Sequence, residues 1–115
     1  MDGSFNHSDT PSMIVERIVE RGADWADKEH AASLLEETRK SVRAQIAIKN
    51  FADAGSAAKA ELVAEASPEY VEHVTAMVVA RKVANLAKVQ YEAGKTWIDL
   101  IRSQEASRRA EMQIR

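Results

Sequence analysis

The chain has 115 residues, 30% of them charged, with a formal net charge of −2 and no cysteine. This length gives one domain, the lack of thiols excludes a disulfide scaffold and any thiolate metal site, and the charge argues against a globally basic nucleic-acid binder. No run of eighteen apolar residues occurs, so no segment is expected to span a membrane.

Residues 1–9 are small and polar and are read as a disordered N-terminal tail, without the apolar run of a secretory signal. The rest, 10–115, reads as a single helical domain. Thr10-Pro11 pairs an N-cap with proline at the first helical position, where its missing N–H costs nothing. A first helix is predicted over 11–21, with Ile14, Val15, Ile18 and Val19 on one stripe and Gly22 as its stop. Asp24 caps a second helix over 24–65. Within it, Gly55-Ser56 marks either a bend or a break, the latter with Ser56 capping a restart. Ser67, Pro68 and Glu69 form the firmest punctuation and open a third helix over 68–112.

The expected architecture is therefore all-α: a long antiparallel helical hairpin, coiled-coil-like, with a short N-terminal helix. The composition agrees, with twenty alanines and only two prolines, and no segment alternates as a half-buried strand would. A turn at Pro68 would set Phe51 near Val83, Val42 near Tyr91, and Leu34 and Leu35 near Trp97 to Ile101. The first helix would fold back over Trp97 and Ile101.

The net charge conceals a split. Residues 1–80 hold eight Lys/Arg against fourteen Asp/Glu, and residues 81–115 hold eight against four. Such asymmetry suits either two halves that attract each other or a local anionic partner. In the third helix a heptad frame puts Tyr70, His73, Met77, Ala80, Ala84, Ala87, Tyr91, Gly94, Ile98 and Ile101 on the seam. Arg81, Lys88, Lys95, Arg102 and Arg109 then all fall at position e beside it. Cations there commonly pair with acids on the facing helix and cover apolar surface with their stems. The alternative is a phosphate-tracking ridge, in which Trp97 offers a stacking surface for single-stranded bases. Those six residues are the candidate nucleic-acid contacts.

Near the proline, the third helix is apolar on more sides than one partner helix covers. Val71, Val74, Met77, Val78 and Val79 are the candidate oligomer or partner interface, and self-association into a homo-oligomer is expected. Catalysis is not. No nucleotide-cradling glycine motif occurs, His7, His30 and His73 are scattered, and the single Glu69–His73 pair has no second to complete a di-metal site. No cofactor, metal or small-molecule substrate is expected.

The stretches "ASPEYVEHV", "VANLAKVQYEAGKTWIDLIRS" and "SRRAEM", within residues 57–113, resemble small helical proteins of unassigned function encoded by bacteriophages and prophages, often near phage recombination genes. The resemblance supplies no catalytic residues. It implies an accessory role in phage DNA metabolism, in a bacterial host's cytoplasm, and nothing finer; taken with the charge split, it makes contact with single-stranded DNA or a DNA-bound protein the expectation. The competing expectation is a phage-encoded protein–protein adaptor or inhibitor with no nucleic-acid contact.

Overall fold

A computed structural model describes Phe5 and residues 9–114, and within them the chain forms three α-helices and no strand. These are α1 (Pro11–Ala54), α2 (Ala57–Ala66) and α3 (Pro68–Ile114). The helix starts follow the local chemistry. At Thr10 the side-chain oxygen accepts from the Met13 amide at 3.3 Å. The Ser56 hydroxyl accepts from Lys59 N–H at 3.2 Å, and Ser67 does the same for Tyr70 at 3.2 Å. Each satisfies an amide that the first helical turn leaves without a partner.

The bounds differ from the expected ones in two places. Gly22 does not stop a first helix: residues 11–21 and 24–54 belong to one 44-residue helix. Gly22 is instead a notch, since a Cβ there would stand 3.3 Å from the Tyr91 ring. The second expected helix breaks at Gly55, whose φ of 83° lies in the left-handed region that only glycine enters cheaply. Ser56 then caps α2, as the rival reading had it.

By its contacts the chain divides into two compact regions, one of residues 27–85 and one of residues 1–26 with 86–115. In the region 27–85, α1 meets α2 at the Arg43–Glu65 ion pair, and meets α3 where His73 contacts the Leu35 carbonyl and Arg81 contacts Glu29 and Glu36. Rising numbers on α2 and α3 match falling numbers on α1, so both run antiparallel to it. The chain therefore reverses at Gly55-Ser56 and not at Pro68. The expected facing pairs shift accordingly: Leu35 lies against His73 rather than Trp97 to Ile101. The buried side chains here are Ala32, Ile46, Ala60, Ala64 and Ala84.

In the other region the N-terminal part of α1 lies antiparallel to α3. Ile18 meets Gly94, Gly22 meets Tyr91, and Arg21 donates to the Gln90 carbonyl at 2.9 Å. Pro11, Ile14 and Val15 line one apolar hollow with Ile98 and Ile101, so residues 11–21 do cover Ile101, as part of α1. Of the stretch read as a tail, residues 1–4 and 6–8, including His7, lie outside the described residues. Phe5 and Asp9 are held: Phe5 packs on Trp97 and Gly94, and Asp9 pairs with Arg17 at 3.0 Å.

Candidate functional site

The heptad frame holds on α3. All ten seam residues from Tyr70 to Ile101 are buried or half-buried. The alanines and Gly94 at its middle keep the two backbones close, and the e positions follow from that seam. Arg81 reaches across to α1 and is clamped there. Its Nε and Nη2 donate to the two Glu36 oxygens, both at 2.8 Å, and its Nη1 donates to Glu29 at 2.6 Å. A fork-on-carboxylate pair of this kind is the stronger class of ion pair. It holds the Glu36 carboxyl below its ordinary pKa, mainly through the hydrogen bond from Arg81 and against a smaller opposing effect of desolvation. The Arg81 guanidinium is pushed up in turn by its bonds to Glu36 and Glu29.

The next two cations of the row lie over aromatic rings. Lys88 Nζ stands 5.9 Å from the centre of the Trp25 ring, and Lys95 Nζ stands 5.5 Å from that of Tyr91. At such distances the ring quadrupole attracts the ammonium. Arg102 and Arg109 are exposed. Trp97 is half-buried, and its ring stacks on Phe5 at 6.3 Å between centroids. Arg21 covers Phe5, with its guanidinium carbon 4.4 Å from the ring centre. Arg81 is thus taken by two carboxylates of α1, whereas Lys88 and Lys95, like Arg102 and Arg109, stay exposed. Phe5 is the residue that sequence reasoning missed. A lone aromatic in a polar segment was the available signal, but nothing in the spacing says where it docks.

The five candidate interface residues divide between two faces of α3. Met77 and Val74 are half-buried, Met77 being one of the seam positions. Val71, Val78 and Val79 point away, with 53%, 60% and 55% of their surface exposed. Elsewhere in the region 27–85, Ile48, Phe51 and Leu62 are also more than half exposed. Ile48 and Phe51 line an apolar groove with Ala47 and Ala60.

Among the described residues no cluster of three His, Asp or Glu is arranged to hold a metal ion, and no helix is long and apolar enough to cross a membrane. No protein-family model, no curated protein and no solved structure matches the chain.

Proposed function

We propose that this protein is a non-catalytic helical module that works by self-association, through apolar surface its own fold leaves uncovered. One observation carries the reading. In the region 27–85, Ile46 is the one large aliphatic side chain that is buried, while Val71, Val78, Val79, Leu62, Ile48 and Phe51 are all more than half exposed. Apolar surface in such excess over the core is characteristic of interaction sites.

Light scattering coupled to gel filtration tests it. The wild-type mass is expected to rise with concentration, and Val71→Glu with Val78→Glu to lower it while helicity is retained. These two positions suit the test because they face outward, whereas a charge at Val74 would also disturb the packing on α1. A wild-type chain that stays monomeric at every concentration would defeat the reading.

The accessory role in phage DNA metabolism that the resemblance implies is a further part of the proposal. Its support is the basic balance of residues 81–115, with Arg102 and Arg109 exposed. Labelled single-stranded DNA at two salt concentrations tests that part. Binding that weakens with salt supports phosphate contacts. No binding at low salt restricts the module to protein partners, a reading favoured by the engagement of Arg81 with Glu29 and Glu36.

A further inference from the structure

Phe5 stands six residues before the first residue of α1, yet its ring has defined neighbours. The Trp97 ring lies within 14° of parallel to it, at 6.3 Å between centroids. The Arg21 guanidinium carbon stands 4.4 Å from the centre of the Phe5 ring, and that of Arg17 stands 5.8 Å from it. Gly94 makes the room. A Cβ there would come within 3.4 Å of Phe5 and 3.1 Å of Ile18, so a side chain at this position would crowd the ring. Indole faces and guanidinium planes are the surfaces on which proteins stack unpaired bases. Here they hold a benzyl ring that is only half-buried.

An anion accompanies the ring. Asp9 pairs with Arg17 at 3.0 Å, and its side chain is only 5% exposed. Arg17 and Arg21 are four residues apart on α1 and so share one face of it. The ring and the carboxylate are therefore taken by neighbouring cations. A flat π-face on Trp97 and Arg21, with a negative charge on Arg17, is the combination of groups that a nucleotide presents. Packing alone would be served as well by an aliphatic side chain, which gains nothing from a guanidinium.

We infer that Phe5 and Asp9 hold, from within the chain, the places of a base and a phosphate. A single-stranded nucleic acid binds by displacing them from Trp97, Arg21 and Arg17. This rests on the DNA-contact part of the proposed function and adds to it the base-stacking site and its built-in competitor. Arg21 also donates to the Gln90 carbonyl at 2.9 Å, which keeps its guanidinium at the site when the ring leaves. A tethered occupant competes at high effective concentration, and the apparent affinity for the strand falls with the fraction of chains whose site is open.

Anisotropy of a labelled oligothymidylate at low salt tests this, with the full chain as wild type, as Phe5→Ala, and as Phe5→Ala with Trp97→Leu. Phe5→Ala is expected to bind about tenfold tighter than wild type, on the scale of one base stack. Trp97→Leu is expected to cancel that gain. Circular dichroism reports whether helicity is kept. Where alanine lowers it, Phe5→Leu carries the same expectation, because it keeps an apolar group over Gly94 and offers no π-face. Wild-type binding that the Phe5 variants only equal or weaken overturns this inference and leaves DNA contact standing. So does a gain that survives Trp97→Leu. No binding by any of these chains overturns both.

Discussion

Arg81 shows how a single side chain can decide between two readings of the same pattern. A cation at every e position is what both a phosphate ridge and an interhelical ladder look like in sequence. The fork of Arg81 on Glu36, with Glu29 on its remaining nitrogen, gives this cation to the ladder. Its worth is modest, because the partners are substantially exposed and solvent screens such pairs. It still leaves a signature in acid. The Glu36 pKa is lowered in the folded chain, so the pair stabilises the fold above the ordinary glutamate pKa. That contribution fades as pH falls through the lowered folded value. Arg81→Gln should therefore be less stable than wild type near neutral pH, and the two urea midpoints should converge as pH drops below the ordinary glutamate range. A gap that stays constant down to pH 2 would show that the ion pair is not its source.

At the level of helices, the two punctuation marks of the middle of the chain have different jobs, and only one of them reverses it. Ser67-Pro68 ends α2 and begins α3: the Ser67 hydroxyl donates to the Ala64 carbonyl at 2.7 Å and accepts from the Tyr70 amide. Both helices run antiparallel to α1 in the region 27–85. The reversal is at Gly55, with no atom within 4 Å of the site a Cβ would occupy. Gly55→Ala therefore meets no clash, and its cost is the backbone one, about 1–2 kcal/mol for an L-residue held left-handed. Pro68→Ala should move stability by less than that, since its backbone is that of an ordinary first helical turn. Urea titration of the two variants ranks them, and a larger loss at Pro68 would contradict the observed turn.

This pair also explains what sequence could and could not supply. The heptad frame was readable because α3 packs one stripe against one neighbour, and stripe membership depends only on residue type and helical period. The helix starts at Thr10, Ser56 and Ser67 were readable because a cap is a contact over three residues. Where the chain doubles back was not. Proline fixes a helix start but not the direction of the next helix, and a left-handed glycine in an alanine-rich run looks the same as a tolerated one. Gly22 misled for the converse reason: its missing side chain answers to Tyr91, almost seventy residues away, and no local pattern records that.

For the chain as a whole, the composition of the core sets the behaviour. Among the described residues seven apolar ones are buried, five of them alanine, and no large side chain is fully buried. Alanine allows close helix approach but removes little apolar area from water, and the hydrophobic contribution scales with that area. A fold stabilised this way gains most by covering what it still exposes, and a second copy supplies that cover. Binding that favours the folded state raises its apparent stability by mass action. Thermal unfolding followed by circular dichroism should then depend on concentration, with the midpoint rising by several degrees over a hundredfold range. A midpoint that ignores concentration would mean that the alanine seam and the Arg81 clamp suffice for a single chain, and the exposed face of α3 would then need a different explanation.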